Sequence, residues 1–264
     1  MESKRTGIVK TEDKRMKRKC VIFGTTDFGK MLRYYFEKYA DVQIVAYTVD
    51  KAYLESDTYD GLPAVAYEEV EKAYPPTEYT MVIALGYKKM NQIRQQKFED
   101  AKRKGYRIEN FVHPSVVDES VAMGEGNIIL EHVTLAYGTK IGNSNIIWNG
   151  SQISHESQVG DYNFFSVDSV IAGKTVVKNN CFLGINSTVL GNRTLEYATL
   201  VGAGALSKRI QSHIVSMFRH AVSVWKIKKV QRWLIRDKEK GVHRSDFNTL
   251  ENLICEMIEW IFHL

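Results

Sequence analysis

An apolar residue recurs at every sixth position through the middle of the chain. The fifteen positions run without a break and are all aliphatic, Met or Phe: Val117, Met123, Ile129, Leu135, Ile141, Ile147, Ile153, Val159, Phe165, Ile171, Val177, Leu183, Val189, Leu195 and Val201. If about one residue in three is of this kind, the chance probability of such a series is on the order of 10⁻⁷. Neither an α-helix nor an ordinary β-sheet has a period of six, so the pattern indicates a repeat fold.

Two further columns share the register. The residue after the apolar one is often small, and the residue four after it is mostly short or polar, as at Thr139, Asn145, Ser151, Ser157, Asn163 and Ser169. A short parallel strand and a turn every six residues make a three-sided solenoid, with large apolar residues inside and small ones at the corners. One coil then takes eighteen residues, and the series predicts about five coils.

A different pattern precedes the repeat. Apolar runs at 20–23, 43–49 and 80–85 predict strands, and 30–39 and 88–104 have helical character. Strands that alternate with helices form a parallel α/β unit whose ligands bind at the carboxyl ends of the strands. The segment 24–29, Asp50, Lys51 and Gly86 would lie at that edge.

The chain therefore divides into a disordered basic tail (1–18), a Rossmann-like α/β domain (19–110), a β-helix (111–206) and a helical C-terminal extension (207–264). In the extension, seven apolar residues from Phe247 to Ile261 follow helical spacing, which favours core or subunit packing over membrane-surface binding.

Charge excludes one class of function. The net charge is +5, and residues 1–19 carry that whole excess with eight Lys/Arg against three Asp/Glu. Residues 20–206 have 17 basic and 22 acidic side chains, so the body lacks a phosphate-tracking face and no nucleic-acid partner is predicted.

Composition also bears on location. No apolar run approaches the roughly 18 to 20 residues of a spanning helix, and the charged N-terminus lacks the apolar region of a signal peptide. We predict a cytoplasmic protein without stable membrane insertion. Cys20, Cys181 and Cys255 are far apart in sequence, which indicates free thiols in a reducing compartment.

The register places His155 near an outward corner of the coil, two residues after the inward Ile153, with Glu156 next to it. An imidazole on a rigid coil suits a general base, although a surface histidine explains the pattern as well. Gly173 lies eighteen residues on, one coil above His155. Its N–H could donate to a thioester oxygen, or Gly173 could be a turn residue. The spacing of His113, His132 and His155 does not suit a zinc site, so no metal is predicted.

Four segments of the repeat region resemble those of a known family. His155-Glu-Ser-Gln-Val-Gly, Ser166-Val-Asp-Ser-Val-Ile-Ala-Gly, Asn180-Cys-Phe-Leu-Gly-Ile-Asn-Ser and Leu200-Val-Gly-Ala-Gly-Ala are similar to segments of the bacterial nucleotide-amino-sugar acetyltransferases, often described as sialic-acid O-acetyltransferase-like. The resemblance includes 24–30, Asp50-Lys51 and His113-Pro-Ser, and so spans roughly 19–206.

The resemblance implies a homotrimer of left-handed β-helices, with acetyl-CoA between neighbouring subunits and a sugar nucleotide on the α/β unit. It implies that His155 is the general base, that Glu156 supports it, and that Gly173 donates its N–H to the thioester carbonyl. Ile185 and Ala203 match family positions that line the pantetheine of the coenzyme. The family positions of the sugar-nucleotide site are matched by Gly24, Thr25, Asp50, Lys51 and Gly86.

The chain departs from the family pattern at the acceptor pocket. Phe164 stands where some members have a second histidine, and Trp148 stands where many have an asparagine. The family's Gly-x-Pro-Ala is replaced by Phe218-Arg-His-Ala, so the adenine end of the coenzyme would be bound differently. Lys208 and Arg209 could pair with its phosphates, or belong to a solvated basic surface.

The resulting hypothesis is an acetyl-CoA-dependent N-acetyltransferase that acts on a nucleotide-linked amino sugar, a UDP- or dTDP-amino-deoxyhexose, for surface glycan biosynthesis. O-acetylation of a sugar or sialic acid by the same residues is one alternative. A non-catalytic solenoid that senses a nucleotide sugar is another.

Overall fold

The computed structural model describes residues 17–119 and 121–207 of the 264-residue chain. Most of the predicted basic tail lies outside these residues, as do Cys255, Lys208, Arg209 and all of the predicted helical extension beyond residue 207. Arg18, which was assigned to the tail, begins the first strand and forms a salt bridge with Glu109 at 3.1 Å.

The N-terminal unit is a five-stranded sheet with helices. Its elements are β1 (Arg18–Phe23), α1 (Asp27–Tyr39), β2 (Val42–Val49), β3 (Thr58–Tyr59), β4 (Leu62–Ala66), α2 (Val70–Ala73), β5 (Tyr79–Ile83) and α3 (Gln92–Arg103), with 3₁₀ turns at Lys51–Tyr53 and Tyr67–Glu69. The strand order is β3-β4-β2-β1-β5, and all neighbours are parallel except β3 and β4. The predicted strand–helix alternation is therefore present.

Two helices start at other residues than predicted, each for a local reason. Helix α1 begins at Asp27, three residues early, since the Thr26 side chain accepts a hydrogen bond from Gly29 N at 3.4 Å. Helix α3 begins only at Gln92, because Lys89, Met90 and Asn91 all have positive φ. Strands β3 and β4 were not predicted.

Residues 111–207 form a parallel β-helix of two-residue strands. In chain order these are Phe111–Val112 (β6), Val117–Asp118 (β7), Ala122–Met123 (β8), Ile128–Ile129 (β9), Thr134–Leu135 (β10), Lys140–Ile141 (β11), Ile146–Ile147 (β12), Gln152–Ile153 (β13), Gln158–Val159 (β14), Phe164–Phe165 (β15), Val170–Ile171 (β16), Val176–Val177 (β17), Phe182–Leu183 (β18), Thr188–Val189 (β19), Thr194–Leu195 (β20), Leu200–Val201 (β21) and Leu206–Ser207 (β22). They stack into three parallel sheets: face 1 (β7 to β22 in steps of three), face 2 (β8 to β20) and face 3 (β6 to β21).

The predicted apolar column forms the interior, with one exception. From Ile129 to Val201 every member is buried, and Met123 packs partly against this core. The prediction that Val117 points into the interior is wrong, because Val117 is 52% exposed and pairs with Thr134, an outward residue. Val117 and Thr134 are seventeen residues apart, so the first coil is one residue shorter than the coils that follow. Val116 contacts the core in place of Val117.

The turns share a backbone feature that the sequence did not reveal. One residue in six has positive φ from Gly126 to Gly204, and most of these residues are not glycine: examples are His132, Glu156, Lys174 and Asn186. Each corner therefore turns through a left-handed residue, and at Glu156 that backbone sets the direction of a predicted site side chain.

Face 3 is covered by the N-terminal unit. Its outward side chains are apolar and buried, namely Ile128, Ile146, Phe164, Phe182 and Leu200, and they belong to one cluster with Leu32 and Phe36 of α1. This contact brings the carboxyl edge of the N-terminal sheet against the β-helix.

Arg94 of α3 joins the two parts. It is 1% exposed and donates hydrogen bonds to the carbonyls of Gly86, Ser144, Tyr162 and Asn163 at 2.7 to 3.0 Å. Burial lowers the pKa of its guanidinium to about 9.

Within 17–119 and 121–207, no helix is long and apolar enough to span a membrane.

Candidate active site

His155 follows β13 at the corner between faces 1 and 2, and its side chain is 57% exposed. Gly173 lies one coil above, as the eighteen-residue spacing predicted. A Cβ built on Gly173 would lie 2.4 Å from His155 Nε2, so the imidazole covers this glycine. The His155 carbonyl accepts a hydrogen bond from Lys174 N at 2.9 Å, which ties the two coils together.

Glu156 lies between two basic groups. Its Oε1 is 4.0 Å from His155 Nδ1, and its Oε2 is 3.5 Å from Lys174 Nζ. All three side chains are more than half exposed, so each ion pair is weak in this chain alone. Glu156 thus places a carboxylate beside the imidazole.

The Gly173 N–H is available as a donor. Among the hydrogen bonds of the described residues, none is donated by this N–H, whereas the Gly173 carbonyl accepts from Asn192 N at 3.0 Å. The His155 imidazole occupies the place of the missing side chain, so a proton acceptor lies next to this N–H. A carbonyl oxygen that accepted from the N–H would lie beside the imidazole.

A second feature is a cavity of about 950 Å³ at the carboxyl edge of the N-terminal sheet. It is large enough for a nucleotide-linked sugar. Six of the seven residues predicted to bind substrate line it: Gly24, Thr25, Asp50, Gly86, Trp148 and Phe164. The structure thus brings together positions from three strand ends and from face 3.

Lys51 does not line this cavity. Its backbone N–H donates to the Glu68 carboxylate at 3.0 Å, which holds the turn after β2. Two other lysines, Lys88 and Lys97, do line it and were missed by the sequence analysis. Lys97 lies in the middle of α3, where nothing in the local sequence indicates a ligand site.

The cavity is lined by polar and by aromatic groups. The polar groups include the Gly24–Thr26 turn before α1, and Asp50. Among the aromatic residues, the Phe28 and Trp148 rings stack with centroids 5.9 Å apart, and the Phe164 ring centroid lies 6.4 Å from that of Trp148. The Trp148 indole N–H is buried without a partner among the described residues. The rings suit a flat or apolar surface of a ligand, and the indole N–H could donate to an acceptor on it.

The two features lie at different corners of the β-helix. His155 is not among the residues that line the cavity. Trp148, Ile185 and Ala203 lie at the corner between faces 3 and 1, one face away from His155, and Ile185 is 39% exposed. In a single chain, His155 and the cavity are thus separated by the width of face 1.

Three solved structures have a fold similar to that of this chain. The acetyltransferase domain of PglB from Neisseria gonorrhoeae superposes with a TM-score of 0.65 at 19% identity, over 74% of this chain and 93% of that one. PerB from Caulobacter crescentus, solved with CoA and GDP-perosamine, has a TM-score of 0.65 and 24% identity over 74% and 92%. WeeI from Acinetobacter baumannii has a TM-score of 0.59 and 17% identity over 72% and 92%.

The chain shares the fold of these proteins. Two further similar structures are of the perosamine N-acetyltransferase from Caulobacter crescentus, in which one histidine is replaced by asparagine or by alanine. No family model and no curated protein matches the sequence.

Among the described residues, no group of three His, Cys, Asp or Glu side chains is arranged to hold a metal ion. Cys20 and Cys181 are free and buried, and burial raises the pKa of each thiol to about 12. These thiols therefore stay protonated at neutral pH and do not act as nucleophiles.

Proposed function

We propose that this protein is an acetyl-CoA-dependent N-acetyltransferase that acts on a nucleotide-linked amino sugar. The observation that carries the proposal is the contact of the His155 imidazole with the side-chain-free Gly173 on an exposed edge of a β-helix. Two of the similar structures, an acetyltransferase domain and a perosamine N-acetyltransferase, support the same reaction.

In the proposed mechanism the acceptor amine attacks the thioester carbonyl of acetyl-CoA. His155 Nε2 takes the proton of the amine as the C–N bond forms, and Glu156 stabilises the resulting imidazolium. The Gly173 N–H donates to the carbonyl oxygen as it becomes an oxyanion. The C–S bond then breaks, and the CoA thiolate takes up the proton to leave as the thiol. No residue of the chain becomes acylated.

The cavity at the sheet edge is the proposed site of the sugar nucleotide. Gly24 and Thr25 form the turn before α1, where N–H groups at a helix start suit phosphate oxygens. Gly86 and Asp50 line the same space, whereas Lys51 would reach the ligand only from the rim. We assign the N-terminal unit to the Rossmann-like class on this arrangement. GDP-perosamine in the PerB structure supports a nucleotide sugar as the ligand class.

A homotrimer of left-handed β-helices would complete the site. Because face 1 separates His155 from the cavity, a second copy would have to place its His155 edge against the cavity of the first. Acetyl-CoA would then lie between subunits, with Ile185 and Ala203 against the pantetheine and Lys208 or Arg209 near its phosphates. We further propose that the enzyme is cytoplasmic and supplies precursors for surface glycans.

The test is CoA release from acetyl-CoA with a panel of UDP-, dTDP- and GDP-linked amino sugars, each beside its hydroxy counterpart. We expect turnover with one amino sugar and a product 42 mass units heavier, roughly the mass of one acetyl group replacing a hydrogen. Turnover only with hydroxy sugars would make the protein an O-acetyltransferase. Coenzyme binding without any turnover, or no binding of acetyl-CoA at all, would favour a sensor of nucleotide sugars.

A further inference from the structure

Lys97 is held beside Asp50 by contacts from three segments. Its ammonium forms a salt bridge with Asp50 Oδ1. The same Nζ lies 5.1 Å from the ring centroid of Phe23, at the end of β1, and 4.8 Å from that of Tyr67. The Lys97 side chain is only about one fifth exposed, so the charge is fixed at the cavity wall.

A carboxylate at this place is unfavourable for an anionic ligand unless it is neutralised. Asp27, Asp50 and Glu55 all line the cavity, and a nucleoside diphosphate brings further negative charge. Like charges repel one another more strongly at a partly buried protein site than in bulk water. Lys97 cancels the charge of Asp50, the carboxylate that comes directly after β2.

Lys97 also orients the Asp50 carboxylate. The salt bridge engages Oδ1, and among the described residues no hydrogen bond is made to Oδ2. Oδ2 therefore remains as an acceptor on the cavity wall. An acidic residue in this position of dinucleotide-binding sheets accepts a hydrogen bond from a ribose hydroxyl.

We infer that Lys97 is a positioning residue for the sugar nucleotide: it neutralises Asp50 and holds its free oxygen toward a ribose hydroxyl. This inference rests on the proposed function, since it needs a nucleotide in the cavity. Lys97 acts through Asp50, and it does not itself contact the diphosphate.

The experiment is calorimetric titration of the full chain with GDP, UDP and dTDP, continued with the one that binds most tightly. Lys97→Met should weaken binding about tenfold, and Lys97→Arg should stay within about threefold of wild type, because it keeps the charge. If Lys97 acts through Asp50, the Asp50→Asn/Lys97→Met double variant binds no more weakly than the weaker single variant.

Lys102→Met is the matched control, since Lys102 is on the same helix and pairs with Glu125 away from the cavity. We expect it to bind the nucleotide like wild type, and all variants to keep wild-type affinity for acetyl-CoA and a similar melting temperature. Additive losses in the double variant would overturn the inference in favour of direct phosphate contact. An unchanged affinity of Lys97→Met, or a parallel loss of acetyl-CoA affinity, would overturn it as well. If wild type binds none of the three nucleotides, the inference fails together with the proposed function.

Discussion

His155 and Gly173 form one unit across two coils: the imidazole occupies the space in which a side chain on residue 173 would lie, 2.4 Å from Nε2. Gly173 does not need the left-handed backbone, because the corner residue with positive φ is Lys174. Glycine at 173 therefore serves contact with the imidazole and not the turn.

Gly173→Ala should accordingly displace the base without unfolding the coil. The added methyl meets the end of an exposed side chain that can swing away, so we expect the melting temperature to change by less than about 2 °C. Activity should fall at least about 100-fold, since both the base and the oxyanion donor are disturbed. Steady-state kinetics and thermal denaturation measure the two effects.

Gly191→Ala provides the contrast, because its Cβ would meet the Gly173 carbonyl oxygen at 2.9 Å, a backbone atom that cannot swing away. This variant should lower the melting temperature clearly. If Gly173→Ala were the less stable of the two, the assignment of Gly173 to the site would lose its support.

Glu156 is predicted to orient and stabilise His155. Glu156→Gln removes the charge 4.0 Å from Nδ1 and keeps the shape, so kcat should fall about tenfold with little change in KM. Lys174→Met frees Glu156 from its other partner and should leave kcat within about twofold. A larger loss in Lys174→Met than in Glu156→Gln would contradict this order.

Arg94 should contribute strongly to stability. Arg94→Met leaves the carbonyls of Ser144 and Tyr162, two buried residues, without their donor, whereas the Asn163 carbonyl keeps Ile146 N and Gly86 is exposed to solvent. We expect a loss of about 3 kcal/mol in the free energy of unfolding. Arg103→Met on the same helix, at a largely exposed position, should cost less than about 0.5 kcal/mol. Urea denaturation compares the two, and equal midpoints would contradict the role of Arg94.

The fold was predictable where the pattern is specific to one architecture. A period of six has no other common explanation, and the buried column from Ile129 to Val201 followed directly from it. Val117 failed because the first coil has one residue fewer, and a length change at the end of a repeat leaves the apolar pattern intact. Strand β3 is an edge strand of only two residues, and β4 contains Pro63, which in a sequence argues against a strand.

The site was predictable where it depends on the repeat or on the carboxyl ends of the strands. Eighteen-residue spacing placed Gly173 next to His155 from register alone. Lys97 could not be found in this way, because its contact with Asp50 joins the middle of a helix to the end of a strand 47 residues away. Only the packing of α3 on the sheet brings these charges together.

The two buried thiols should be inert in the folded protein. Burial raises the pKa of Cys20 and Cys181 to about 12, so at pH 8 the reactive thiolate is a minute fraction of each. We expect peptide mass mapping after brief treatment with N-ethylmaleimide to find neither residue modified, and both modified once urea is added. Rapid labelling of Cys20 in the native protein would contradict this prediction, because it would show that the Cys20 thiol is accessible to the reagent.

The central claim is that His155 is the base of the transfer. The most direct measurement is kcat/KM of His155→Ala for the amino sugar identified by the panel, beside His132→Asn, which changes an exposed histidine at another corner. We predict that His155→Ala loses at least about 100-fold in kcat/KM while both ligands still bind with wild-type affinity, and that His132→Asn keeps its activity. Full kcat/KM in His155→Ala would contradict the account.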